Sequence, residues 1–454
     1  MVRILATLVT ALALSVALIV TGTPGQAAAA GAAADPLVAP ADTSPRADVP
    51  VVRIPRTLRG LVVTWRDGRL ERVPFAHVGT GEHTLLADES GRFTIPAAIR
   101  TNHVNIVAPG YHVIREVTTS DYVVAFAKPL DVRAIYLPFD RLKEADVLNW
   151  ALNLARRGLI TALVIDVKNE GGAVLPEVAN QTAIDMGAVR GTGTDLVGFL
   201  AELETLGVYR IARVVTFMDG WLARGHPQAA ILDFDGTIFY DDINFAWVSP
   251  FVELSRRHNI EIGVNAAAYF DEVQYDYVRL PVDSIPLRGR ISAAQRSAII
   301  AQFAAEAAHA LHAVGAALSF DTFGLTTMAT NDSGIGQVLE ELAPFLDYYS
   351  PMVYPSTWST GWFGLEYPAS DPYTVVLGSV GSAVARLEGY NIVVRPWLQD
   401  FPDYNGRGIR YGPEHVRVQI DATADAGASG FMLWDPRLEY QLGPLGEIAT
   451  AGLD

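Results

Sequence analysis

Cysteine is absent from the 454-residue chain, which excludes disulfide stapling, thiolate catalysis and every cysteine-ligated metal site. Basic residues are scarce as well. Thirty-four Lys and Arg stand against 50 Asp and Glu, for a formal net charge of −16, and the only lysines are Lys128, Lys143 and Lys168. Nucleic acid and anionic membrane surfaces reward clustered Lys and Arg, so neither is an expected partner. A neutral polymer such as a glycan carries no such penalty. Beyond the first thirty residues no segment is apolar enough to span a bilayer. What the chain does have is apolar bulk: 50% of its residues are hydrophobic. At this length it suits two domains with well-buried cores.

Residues 1–30 read as a signal peptide. Arg3 supplies the positive start, Ile4 to Val20 form the apolar run, and Ala27 to Ala30 offer the small residues that a signal peptidase needs. An uncleaved anchor is the alternative, because 17 apolar residues sit at the lower edge of a span. Either way the chain is expected to be exported, with no other membrane contact. Residues 31–50 are rich in Ala, Pro and Asp with little to bury, the composition of a disordered linker.

Residues 51–128 read as short strands between turns: LRGLVVTW (58–65), VPFAHV (73–78), RFTIP (92–96), HVNIVA (103–108) and YVVAFA (122–127). The turns at Asp67-Gly68 and Ser90-Gly91 at this spacing predict a small all-β sandwich. With Asp88 to Phe93 and Ala108 to Tyr111, these turns resemble the carboxypeptidase regulatory-like sandwich family. That resemblance implies a spacer or binding accessory without an active site.

From residue 130 to 454 the pattern alternates. Buried strands are expected in VRAIYLPF (132–139), TALVIDVKN (161–169), YRIARVVTF (209–217), DEVQYDYVRLP (271–281), AALSFDTFG (316–324), LDYYSPMVYP (346–355), NIVVRPWLQDF (391–401) and GFMLWDP (430–436), with helical stretches between them. Eight such units predict an α/β fold, a (β/α)8 TIM barrel, in preference to a doubly wound open sheet.

Polar residues fall at nearly every strand end, where such barrels keep their active sites. Asp166, Asp276, Asp321, Asp400 and Asp435 each follow an apolar run. A single one reads most simply as a helix N-cap; five on one rim point to chemistry. Period-two geometry puts Gln274 and Asp276 on one face of the fourth strand and Ala317, Ser319 and Asp321 on one face of the fifth. Two carboxyl groups on adjacent strands can flank one scissile glycosidic bond. The sequence therefore nominates Asp276 and Asp321 as catalytic, with Arg213 and Arg279 to hold Asp276 ionised. Asp166, Tyr354, Gln399, Asp400 and Asp435 are candidates for binding sugar hydroxyls, and Trp397 and Trp434 for stacking on sugar rings. Trp221, Trp247, Trp358 and Trp362 also lie in the connections.

The stretches VIDVKNEGG, IARVVTFMD, DEVQYDYVRLP, FDTFG, SPMVYPS, RPWLQDF and GFMLWDP together resemble a bacterial family of glycoside hydrolase barrels distantly related to the α-amylase type. The resemblance spans residues 132 to 440. It implies hydrolysis of a polysaccharide or oligosaccharide, with the strand-four Asp276 as nucleophile. Where that pattern carries a strand-five Glu as acid/base, this chain has Asp321.

Three other motifs are weaker. ILDFDGTIF (231–239) spells a phosphatase-type D-x-D-G-T, yet every lysine precedes it and Asp-Gly suits a hairpin turn. RGTGTDL lacks the ending of a phosphate loop, and Thr194 is read as a helix N-cap. His309 and His312 share a helix face without a third ligand in sequence. No metal and no cofactor is called for, and a monomer is expected. A non-catalytic polysaccharide-binding barrel is the rival reading; it would be expected to have lost some of the five rim carboxylates.

Overall fold

The computed structural model describes residues 57–118, 120–282, 290–405 and 408–451. The expected leader and linker, 1–50, lie outside the described residues. No helix among these residues is long and apolar enough to cross a membrane.

Eight short strands come first: β1 (Leu58–Arg66), β2 (Arg69–Arg72), β3 (His77–Gly79), β4 (Thr84–Leu86), β5 (Arg92–Ile95), β6 (His103–Val107), β7 (Ile114–Val117) and β8 (Tyr122–Phe126). They form two four-stranded sheets. One has the order β2-β1-β5 with β8 also on β1, and the other runs β4-β3-β6-β7. Leu58, Val62, Phe93 and Ile95 of the first and Val78, Val104 and Ile106 of the second share one buried apolar cluster. The turn residues Asp67 and Gly68 both have positive φ, as the tight β1–β2 reversal requires.

The barrel follows in β9 (Arg133–Leu137), β10 (Ala162–Lys168), β11 (Tyr209–Val215), β12 (Glu272–Asp276), β13 (Ala317–Phe323), β14 (Tyr348–Met352), β15 (Val393–Val394), β16 (Trp397–Gln399) and β17 (Phe431–Trp434). Every pairing among them is parallel, β13 pairs with β14, and β17 pairs with β9, so the sheet closes. The seventh strand is in two pieces because Pro396, between β15 and β16, has no N–H to give to the ladder. Helices including Ala145–Arg156, Leu196–Thr205, Glu253–Ala266, Ala293–Val314, Pro372–Arg386 and Pro413–Asp425 intervene, giving a (β/α)8 barrel. Outward residues such as Ile135, Leu163, Val273 and Phe320 pack under the helices, while Ala134, Val164, Ile211, Ala317 and Met432 fill the interior. That split is the period-two alternation of strands buried on both faces.

The N-terminal sheets sit on the base of the barrel, opposite its strand ends. Gly110 N donates to Tyr348 Oη at 3.1 Å, and Arg115 reaches Asp271, Phe270 O and Gly315 O. Gly81 N donates to Ala313 O at 2.8 Å. Gly79 is glycine for a steric reason: a Cβ there would come 2.2 Å from His312 O.

One local expectation differs from the structure, the helix cap at Thr194, and another, the Asp-Gly turn, is met. The cap of the helix Leu196–Thr205 is Asp195, whose side chain accepts from Gly198 N, while the Thr194 hydroxyl donates to Leu142 O. The Asp-Gly motif at 231–239 is an exposed turn closed by the Leu232–Ile238 bridge, with Gly236 at φ 85.

Candidate active site

Arg213 is the hub of the rim. It lies on β11, 1% exposed, between the neighbouring strand ends. Its Nη1 donates to Asp166 Oδ1 at 2.5 Å, and its Nη2 to Asp276 Oδ2 at 2.6 Å and Glu170 Oε1 at 3.2 Å. Nε lies 3.1 Å from Asp276 Oδ2 and 4.0 Å from Asp321 Oδ2. Burial opposes the guanidinium charge, but the surrounding carboxylates, Asp166 and Asp276 foremost, outweigh it and raise its pKa further. One cation thus gathers residues from four consecutive units of the barrel.

Each neighbour is fixed by local structure. Asp276 ends β12, and the next residue, Tyr277, is in the left-handed region at φ 49, a conformation that costs a non-glycine residue energy. The twist lets Tyr277 N donate to Asp276 Oδ1 at 2.6 Å. Asp321, 2% exposed, is held by Trp397 across the barrel mouth: the indole Nε1 donates to Oδ1 at 2.6 Å. Burial, then the charge of Asp276, pushes the Asp321 carboxyl well above the usual carboxylate range. The indole can only donate, so Oδ1 is an acceptor and a proton on Asp321 belongs on Oδ2. Asp166 is pushed up to about 7, by burial first. A bulge in β10 between Asp166 and Lys168 turns Lys168 away, where it pairs with buried Asp219 at 2.8 Å.

The other nominated residues are distributed unevenly. Tyr354 is buried, and the charges of Asp321 and Asp276 reach its hydroxyl. Trp434 stacks on Tyr136 at 4.2 Å and stands edge-on to Trp397 at 5.5 Å, with the Arg213 guanidinium 5.2 Å from its ring. Arg279 lies among the rings of Trp247, Tyr277 and Phe323. Gln399 is fully buried and braces the sixth and seventh connections through Ser356 and Phe401 O. Asp435 accepts from Arg437 in its own loop. Trp247 is buried, with its indole N–H on Asp241.

Residues 134–440 match the family described as "Putative glycosyl hydrolase domain". The chain belongs to that family. No curated protein matches it. Among solved structures, a hypothetical protein from Ruminiclostridium thermocellum is 28% identical, over 38% of this chain and 90% of its own, with a TM-score of 0.35. The glycoside hydrolase domain of PgaB (BpsB) from Bordetella bronchiseptica is 16% identical, over 67% and 94%, at 0.48. The endo-beta-1,4-mannanase from Thermotoga petrophila is 14% identical, over 72% and 78%, at 0.47.

In this member of the family two further residues reach the rim that the sequence did not single out. Tyr136, on the inner face of β9, donates its hydroxyl to Asp166 Oδ2 at 2.5 Å. Glu170 is carried by a turn in which Asn169 Oδ1 accepts from Gly171 N and Ala173 N. The turn needs Gly172 at φ 86, where a Cβ would strike Asp219. Glu170 stands four residues after Asp166 in VIDVKNEGG, a spacing that was visible; Tyr136 sits inside an apolar run and gave no signal.

Asp400 yields a stability prediction. It is 2% exposed, its Oδ2 accepts from Gln441 N at 2.8 Å, and among the described residues its Oδ1 has no partner. Burial pushes its pKa up to about 8. The unfolded value is about 3.9, so the folded-state value is the higher one. Its contribution is therefore fully present below the unfolded value and lost as pH rises through the folded one. Asp400→Asn keeps the acceptor and stays neutral. Thermal midpoints are expected to show wild type losing ground to the variant by a few degrees between about pH 4 and pH 8, then levelling. A pH-independent difference would mean that Asp400 is already ionised in the folded protein.

Proposed function

We propose that the chain hydrolyses glycosidic bonds in an extracellular or cell-wall polysaccharide, with Asp276 and Asp321 as the working pair. The observation that carries this reading is the asymmetry of two carboxylates facing one arginine. Asp276 is salt-bridged to Arg213 through Nε and Nη2, while Asp321 meets Arg213 only at 4.0 Å and has its carboxyl raised by burial and by Asp276. A pair of titratable groups with divergent environments divides acid from base or nucleophile.

Asp321 gives its Oδ2 proton to the glycosidic oxygen as the bond from that oxygen to the anomeric carbon breaks. Asp276 supplies an electron pair to the anomeric carbon, directly or through a water that it deprotonates. Asp276 ends the fourth barrel strand, the position at which α-amylase-type barrels carry their nucleophile. Asp166, Glu170 and Tyr354 serve sugar hydroxyls, while Trp397 and Trp434, both buried, back the site instead of offering ring faces. The paired N-terminal sheets act as a carboxypeptidase regulatory-like sandwich, a spacer on the barrel's base. Residues 1–30 direct export.

The test is reducing-sugar release from a panel of neutral polysaccharides. Release from at least one member by wild type, abolished by inactivating Asp276, is the expected result. Retention of a glycan with no release from any member would instead make this a binding protein on a glycosidase barrel.

A further inference from the structure

We propose that His77, His312 and Asp347 form a zinc site that fastens the N-terminal sheets to the base of the barrel. The three residues come from separate elements. His77 opens β3, His312 lies in the last turn of the helix Ala293–Val314, and Asp347 immediately precedes β14. One potential ligand atom from each lies within 4.8 Å of the other two. His312 Nε2 is 2.7 Å from Asp347 Oδ2, and the His77 and His312 rings stack with centroids 3.7 Å apart at 19°.

The chemistry of the set favours a cation. A neutral imidazole has one ring nitrogen with a free lone pair, and two imidazoles lie here beside a buried carboxylate. Asp347 is 1% exposed and accepts from Leu318 N and His312 through Oδ2 alone; its Oδ1 is buried and, among the described residues, has no partner. A buried carboxylate oxygen without a donor is costly. Two imidazole nitrogens and one carboxylate oxygen are an N2O donor set of the kind zinc takes in tetrahedral sites, a water completing the four. Zinc lies about 2.0–2.2 Å from its ligand atoms and in the plane of each imidazole that holds it, so binding turns the His77 ring out of its stack on His312. The His312–Asp347 hydrogen bond needs a proton on Nε2, because the carboxylate only accepts; zinc takes that proton's place, so binding releases it.

The site lies at the strand starts, whereas Asp276 and Asp321 lie at strand ends. Its role is therefore structural. His309, one turn earlier on the same helix, is exposed and is not a ligand.

The test uses the untagged full chain, stripped with chelator, and ZnCl2 alone as the probe. Titration calorimetry is expected to give one tight zinc per chain, and zinc is expected to raise the thermal midpoint. His77→Ala, on the half-buried sheet residue, should weaken binding by more than the roughly 10–100-fold that losing an outer-shell partner costs. Polysaccharide hydrolysis at the far end of the barrel should be unchanged. His309→Ala should bind as wild type does. His77→Gln, which keeps the side-chain bulk, stands in if the alanine variant misfolds. No zinc uptake by wild type, or undiminished uptake by the His77 variant, overturns the proposal.

Discussion

Asp276→Asn is expected to lower kcat on the polysaccharide by about 10³-fold or more, the scale of losing a positioned acid–base or nucleophilic group. The substitution keeps the side chain's shape, and an amide oxygen can still accept from Tyr277 N, so the fold should survive. What goes is the electron pair offered to the anomeric carbon. Asp321→Asn should behave differently. It removes a proton donor, and a leaving group that departs unaided does not need one. On the polysaccharide its loss should be about 10²–10⁴-fold; on a dinitrophenyl glycoside of the same sugar it should nearly vanish, whereas Asp276→Asn stays inactive on both. The pH profile separates the roles as well. The Asp321 carboxyl is raised by burial and by Asp276, so it keeps its proton to higher pH than an ordinary carboxyl and loses it as pH rises further. The alkaline limb of wild-type activity should be absent in Asp321→Asn. Equal losses for the two variants on the activated glycoside would undo the assignment of roles.

Arg213→Met is expected to give the largest loss of stability at the site, about 3–5 kcal/mol, because removing one partner strands buried charge. Here it strands several at once: Asp166, Asp276 and the partly exposed Glu170 all accept from this one cation. The Asp166 carboxyl is pushed up to about 7 even with the guanidinium beside it, so without Arg213 it should stay protonated to higher pH still. Folded values above unfolded ones mean stability present at low pH and lost as pH rises. The thermal midpoint of Arg213→Met should therefore lie closest to that of wild type near pH 5 and fall away by pH 8. A deficit of the same size at both pH values would show that Arg213 acts by packing against Tyr136 and Trp434, whose rings lie 5.4 and 5.2 Å away. Activity should be lost at either pH, since Asp276 loses its anchor.

The barrel was legible because its strands are apolar on both faces and recur with helices between them; each of the eight runs contains an observed strand. Their boundaries were less so. Pro396 splits the seventh run, and the cap at Asp195 falls one residue past Thr194, since both residue types can cap. At the rim, position at a strand end was readable and orientation was not. Gln399 and Asp435 occupy the same kind of position as Asp321, yet they brace connections or bind their own loop. Tyr136 was hidden because its hydroxyl lies in an otherwise apolar run, and only closure of β9 against β17 brings it beside Trp434. His77, His312 and Asp347 were beyond reach for a related reason: their meeting depends on how one structural unit rests on another, which no spacing encodes.

Closure of the sheet through β9 and β17 has a kinetic consequence. The first barrel strand finds its second edge partner only after the last has been made, as Phe431 pairs with Arg133. Pairings so distant in sequence slow folding and leave strand edges open meanwhile. The N-terminal sheets emerge before the barrel, and all their pairings fall within residues 58–126. They can be complete while the barrel is still growing, offering Gly79, Gly110 and Arg115 as a ready floor onto which the later strand starts and the Ala293–Val314 helix settle.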